Sequence, residues 1–385
     1  MQKAVKILSF LFFLVSFLVL LKVLLLNFYP DFSQYFWGLK TITHGLNPYV
    51  VDKNSLTPTV YPPFVLFLLS FLGLLSFFWA EKIWTLISLV SLFASVYLIF
   101  KIYRQKIFSS LGFIVLGLVS LSFPVKFTLG MGQINNLILF LFVFSIYCLE
   151  KKKNYFSSFF ISLSLAIKFF PIFFPLYFLV RKEWKMLLYI LITIFSFYFA
   201  AFLLDPKINV FFYRNVLPTF FGSWKMDYYN QSLSGFVGRS IADENIRNVL
   251  RYTLSIIFIA LSFFAIFKTL RNNKLQNMHL GLLVSLNLIV NNFSWQHHFV
   301  FMIFPFLVTL FYVQKIKINL KLLFVLSVSY LLISFNLKNP NVVPVLLQSH
   351  VFYGAILLWI LQVYLILKIP VKILVINTVD RHNKK

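Results

Sequence analysis

Acidic side chains are scarce in this chain, with ten Asp and Glu in 385 residues. Charge of either sign is low too, at 12% of residues, where soluble domains carry about a quarter. A single cysteine, Cys148, excludes an internal disulfide and a thiolate-based metal site. No repeat of fixed period and no polar stretch long enough for a separate soluble domain is present. What fills the chain instead is apolar: 60% of residues are hydrophobic and the mean hydropathy is +0.87. Several runs reach about 18 apolar residues, enough to span a hydrocarbon core of roughly 30 Å. The composition specifies a polytopic integral membrane protein. The first run, "VKILSFLFFLVSFLVLLKVLLLNF", is too long for a signal-peptide core and has no small-residue cleavage site, so a retained helix is expected.

The net charge of +25 does not point to nucleic acid here, and no nucleic-acid partner is expected. Lys and Arg cluster between apolar runs, as they do in cytoplasmic loops. The clusters are Lys3/Lys6, "KIYRQK" (Lys101 to Lys106), "EKKKN" (Glu150 to Asn154), "RKEWK" (Arg181 to Lys185), "KTLRNNK" (Lys268 to Lys274), "KIKINLK" (Lys315 to Lys321) and the tail from Lys368. Placing every cluster inside creates a parity problem between Asp31 and "KIYRQK". Two apolar stretches lie there, 63–78 and 82–100, and only one can cross. The first is shorter, opens on Pro62-Pro63 and contains Gly73. It is expected to be an outer juxtamembrane or re-entrant helix, with 82–100 crossing.

The remaining crossings follow by alternation. Residues 107–124, 134–149, 184–204, 249–267, 276–293, 299–313, 320–335 and 350–367 cross, and 155–168 with 170–180 form a short hairpin. The expectation is about twelve transmembrane helices, both termini cytoplasmic, in an all-α polytopic fold with outer juxtamembrane helices. Seven of the ten acids then fall at the outer side: Asp31, Asp52, Glu81, Asp205, Asp227, Asp243 and Glu244. Polar groups gather on one membrane face, where chemistry is expected.

Five places carry candidate chemistry. Asp31 lies just past the first helix among Tyr29, Phe32, Tyr35 and Trp37. It can be a general base in a partly desolvated pocket, or an N-cap of the helix that follows. In "GMGQINN", Gln133 and Asn135 stand at the start of a membrane helix, suited to sugar hydroxyls or to capping that helix. Its two glycines do not make a phosphate loop. Lys168, in "SLSLAIKFFPIFFP", lacks charged neighbours over a dozen residues each way. An intramembrane lysine costs about 2.5–3.5 kcal/mol to insert, which marks it for function. An anionic phosphate is one partner for it, and snorkelling to the surface is the other explanation. In "YYNQSLSGFVGR", Asn230, Gln231 and Arg239 suit sugar and phosphate contacts or a solvated loop. In "SWQHH", Trp295 fits an interfacial belt. His297 and His298 are adjacent, so they make a poor two-ligand metal site, but either can handle a proton or hydrogen-bond.

The ordered set "HGLNPY", "YPPF", "GQIN", "LSLAIKFFP", "NQSLSG" followed by Arg239, and "SWQHH" resembles glycosyltransferase family 87 over roughly residues 1–315. That resemblance implies a GT-C-type fold and an inverting transfer from a polyprenyl-phosphate sugar, with mannose the family's known example. It implies Asp31 as general base, and Lys168 and Arg239 at the donor phosphate. It implies a histidine near the sugar, His297 or His298. Sugar or acceptor contacts are also expected from Tyr61, Gln133, Asn135, Asn230, Gln231 and Trp295. The expected partners are membrane lipid, the lipid-linked sugar and a glycolipid or glycan acceptor at the extracytoplasmic face. No cofactor and no metal is required. The chain reads as one transmembrane domain: a GT-C-like module over 1–248, variable helices over 249–367 and a cytoplasmic tail over 368–385. "LAIKFFP" is bulkier than the family's small-residue version. A transporter or lipid flippase, or a non-catalytic scaffold, would share several of these features. The absence of an inverted repeat with paired broken helices argues against transport.

Overall fold

A computed structural model describes residues 2–25, 29–50, 59–168, 170–221, 226–315 and 319–368. Asp52, Lys53, Phe169 of the "KFFP" break and the tail from 369, with Asp380, lie outside the described residues. The chain packs as two compact units. The first comprises Met1–Leu121, Val125–Phe178 and Glu183–Ser223, and the second Ser122–Pro124, Leu179–Lys182 and Trp224–Lys385. The break between them at 223/224 falls inside the long segment 205–248.

The first unit starts with α1 (Gln2–Leu25), a helix with no Pro or Gly over its 24 residues. Its Ser9 and Ser16 hydroxyls donate to the carbonyls of Val5 and Phe12, which satisfies them within an apolar helix. Then come α2 (Pro30–Thr43), α3 (Pro63–Leu69), α4 (Phe77–Ile102), α5 (Ser110–Leu121), α6 (Phe123–Met131, all but its first two residues), α7 (Asn135–Glu150), α8 (Asn154–Ile167), α9 (Phe173–Val180, all but its last two), α10 (Trp184–Leu204) and α11 (Pro206–Phe211). Helix α1 packs on α5, α4 on α7, and α8 lies between α7 and α10. The second unit holds α12 (Leu233–Ser240), α13 (Glu244–Thr269), α14 (Gln276–Val290), α15 (Ile303–Lys315), α16 (Leu320–Ser334) and α17 (His350–Lys368). There α17 packs on α14 and α16.

Six described helical segments are long and apolar enough to cross a membrane, or seven if α5 and α6 count as one bent span. The expected count of twelve is not confirmed. Several expected spans are short: Asn135–Glu150, Asn154–Ile167 and Leu320–Ser334 each have 10–17 residues. Residues 123–135, expected as an outer segment, are mostly α6, which turns 54° from α5. Pro124 in its first turn explains the break, because proline has no N–H to continue the ladder from α5.

The stretch after Pro62 is short, and α4 already begins at Phe77, inside the expected 63–78. Helix α3 runs into a 3₁₀ turn, Ser70–Leu74, and Leu75 is extended. At roughly 1.5 Å per α-helical and 2.0 Å per 3₁₀ residue, those two pieces reach only about 20 Å, short of a roughly 30 Å core. Gly73 lets this turn lie against α2: a Cβ there would sit 2.6 Å from the backbone carbonyl of Leu39. Helix α2 buries Phe32, Tyr35, Phe36, Leu39 and Ile42. That i, i+3, i+4, i+7, i+10 spacing is the inward stripe of an amphipathic helix.

Candidate functional site

Asp31 opens the site. Pro30 stands at the first position of α2, where its missing N–H is harmless. Tyr29 occupies the N-cap position, so Asp31 is not the cap; it lies inside the first turn. Its charge is favoured there by the helix dipole. Phe32, the next residue, is buried and fixes the direction of the turn. Its ring stacks on Trp84 of α4, with centroids 5.9 Å apart and planes 19° apart.

The loop between α6 and α7 comes up against this turn. Gly132 adopts φ +70°, a left-handed helix stop. Gly132 N–H donates to Leu129 O, and Gln133 N–H to Thr128 O at 2.9 Å. A Cβ on Gly132 would approach Phe32 Cβ to 2.5 Å, so only glycine allows this contact. The freed Gly132 carbonyl accepts from Trp84 Nε1 at 2.7 Å. Gln133 therefore leaves the turn facing α2, and its Nε2 donates to Asp31 Oδ2. Asn136, the second residue of α7, donates to Ser88 Oγ of α4 at 2.9 Å and holds the two helices together.

Lys168 closes the other side. It ends α8 in an extended conformation, φ −154° and ψ 126°. Its Nζ donates to Asn135 Oδ1 at 3.1 Å, so the ammonium is turned toward the start of α7. Lys168 is close enough to interact electrostatically with Asp31. Burial pushes the Asp31 carboxyl above the usual range, and the Gln133 hydrogen bond and the Lys168 charge pull it part of the way back.

A phenol layer lies beside the carboxylate. Tyr61 OH donates to Tyr35 OH at 3.1 Å, and Tyr49 OH donates to the Tyr61 carbonyl at 2.7 Å. Burial drives Tyr35 and Tyr61 above the ordinary tyrosine range, so both stay neutral donors. Asp31, Tyr61, Gln133, Asn135 and Lys168 are thus brought together in the first unit, from positions up to 137 residues apart (168 − 31 = 137). Trp84 and Tyr49 complete the arrangement. No feature of the sequence pairs Trp84 with Gly132, 48 residues away.

The other named residues lie in the second unit, around an isolated bridge between Asn230 and Trp295. Gln231 N–H donates to Ser294 O at 2.7 Å, and Gln296 N–H donates to Tyr229 O at 2.9 Å. Asn230 and Gln231 are fully buried. The Asn230 amide accepts from Ser232 and Ser294 and donates to Asn292 O. The Gln231 amide donates to Tyr228 O and Gln348 O, at 2.7 and 2.8 Å. Both side chains work inside the fold. Arg239 does similar work: Nη1 donates to Asp227 O and Asn230 O, and Nη2 to Ser349 Oγ at 2.7 Å. Trp295 stacks with Tyr229 and with His297, each ring centroid 5.9 Å away. His298 Nδ1 accepts from Trp295 N–H at 3.2 Å.

A carboxylate steadied by an amide, a lysine beside it and neutral phenols around it can accept a proton from a hydroxyl. The same lysine can neutralise a departing anion. The profile of glycosyltransferase family 87 matches residues 59–291. No curated protein matches. Among solved structures, ArnT from Cupriavidus metallidurans, bound to undecaprenyl phosphate, is similar at 12% identity. That alignment covers 94% of this chain and 76% of ArnT, with a TM-score of 0.43.

Proposed function

Because the chain belongs to glycosyltransferase family 87, we propose that it transfers a hexose, mannose first among them, from a polyprenyl-phosphate donor to a glycolipid or glycan acceptor. The reaction takes place at the extracytoplasmic face of the membrane. Asp31 accepts the proton of the acceptor hydroxyl as its oxygen attacks the anomeric carbon. The bond from that carbon to the phosphate oxygen breaks, the configuration inverts and polyprenyl phosphate leaves. Lys168 offsets the charge on the leaving phosphate. Gln133 aims the carboxylate, and Asn135 sets the ammonium.

The observation carrying this proposal is a half-buried carboxylate held by Gln133, with Lys168 near enough to act on its charge and fixed by Asn135. Burial that raises the Asp31 carboxyl makes it a stronger base than a solvated carboxylate would be. Arg239 holds three oxygens with its two terminal nitrogens, so a phosphate there has Nε to meet or must displace them. We assign it to shaping the 227–239 segment of the second unit.

The test uses the full-length protein in liposomes, with a polyprenyl-phosphate hexose labelled in the sugar. Transfer predicts label in a new glycoside and free polyprenyl phosphate in equal amounts. A flippase would move label across the bilayer with the sugar–phosphate bond intact, and that result would sink the proposal.

A further inference from the structure

Helix α11 and the π-helical turn after it, Phe212–Val216, form an open cleft of about 520 Å³. Pro206, Lys207, Val210, Phe211, Arg214 and Asn215 line it. Lys207 of α11 and Arg214 of the π-helical turn supply two cations beside the apolar Val210 and Phe211. No carboxylate lines the cleft. The nearest acid in sequence, Asp205, caps α11 by accepting from Ile208 N–H at 3.0 Å. Among the described residues neither Lys207 nor Arg214 forms an ion pair.

The cleft begins one residue after α10, one of the helices able to cross the membrane. Below it, Phe199, Leu203 and Leu204 on α10 are 49, 65 and 67% exposed. This is the end of α10 away from its "RKEWK" start, where basic residues are ordinarily few. An arginine fork with a nearby lysine matches the paired oxygens of a phosphodiester. The exposed apolar side chains of α10 match the acyl chains such a headgroup carries. The cleft also touches the phenol layer. Phe211 stacks on Tyr49 at 6.4 Å with planes 12° apart, and Phe212 packs on it at 5.2 Å.

We infer that this cleft binds the phosphodiester headgroup of an anionic membrane phospholipid, acting as neither donor nor acceptor. The bound lipid holds α11 at the membrane surface and so fixes Tyr49 and, through the Tyr61 carbonyl, the phenols next to Asp31. This goes beyond glycosyl transfer and does not require it.

The test is binding without turnover. Full-length protein in a neutral detergent is titrated with dihexanoyl phosphatidylglycerol, dihexanoyl phosphatidylcholine or inorganic phosphate, and bound ligand is counted by native mass spectrometry. Wild type should prefer the glycerol lipid by roughly tenfold or more, as expected for two cations near an anionic headgroup. Lys207→Gln/Arg214→Gln should lose that preference, and each single change should lose part of it if the double variant folds poorly. Asp31→Asn should keep it, which separates this site from the catalytic proposal. Equal binding of the two lipids by wild type overturns the inference. So does an unchanged preference in the charge variants, or inorganic phosphate binding as tightly as the lipid.

Discussion

Replacing Asp31 by Asn tests the catalytic proposal most directly. The amide keeps the side-chain shape, and its Oδ1 can still accept from Gln133 Nε2, which donates to Asp31 in the native protein. Only the ability to take a proton is lost. General-base catalysis is worth about 10²–10⁴-fold, or roughly 2.7–5.4 kcal/mol of barrier at 1.36 kcal/mol per decade. Stability should move much less. The variant loses a favourable charge at the α2 N-terminus, about 0.3–1 kcal/mol. It also no longer buries a charge, which offsets part of that loss. The net change in folding stability should be within about 1 kcal/mol. The assay is hexose transfer from a saturating lipid-linked donor, run beside thermal unfolding of the same sample. Because burial raises the Asp31 carboxyl, the acid limb of the wild-type pH–rate profile should lie above that of an ordinary carboxylate. The sign for stability runs the other way. The folded state binds this proton more tightly than the unfolded chain, so the contribution is present at low pH and lost as pH rises through the raised value. A folded Asp31→Asn protein with near-normal turnover would refute the reasoning and make Asp227 the next candidate.

Lys168→Met should raise the donor KM by roughly tenfold or more with little effect on unfolding. It should also shift the acid limb to higher pH, since the Lys168 charge lowers the Asp31 carboxyl; an unchanged donor dependence and profile would count against the phosphate role. Gly132→Ala forces a side chain into φ +70° and against Phe32 Cβ at 2.5 Å. A loss of about 2–5 kcal/mol in stability is expected from strain plus overpacking, measured by denaturant unfolding, with transfer impaired through misplacement of Gln133. Ser76, exposed at the start of α4, should react from outside as Ser76→Cys, against the buried Cys148 as a quiet background. Labelling only from the cytoplasmic side would overturn the outer placement of 63–74.

Much of the scaffold could be read from the chain because the membrane imposes a simple rule. A long apolar run must close its own backbone hydrogen bonds, so it is a helix. The run 184–204 coincides with α10, and 350–367 differs from α17 by one residue. Pro62-Pro63 and the short run after them marked a short helix there, and the structure has one, Pro63–Leu69, ending in a 3₁₀ turn. The scarcity of acids also made Asp31 conspicuous, and the isolation of Lys168 made it a residue in need of a partner. Polarity in an apolar chain announces that a partner exists, but it does not say which. The pairing of Asp31 with Gln133 joins residues 102 apart, and that of Lys168 with Asn135 joins residues 33 apart. Only packing could decide that Gly132 and Trp84 bring the α6–α7 turn onto α2. Packing likewise turned Asn230 and Gln231 inward, where sequence left them open to a ligand. Helix count depended on the same non-local information, because a break such as the one at Pro124 shows where a span bends but not where the next one is anchored. Local pattern sets which segments are helices, since their hydrogen bonds close within a few residues; the site's geometry rests on contacts between distant segments, which exist only once the helices have packed.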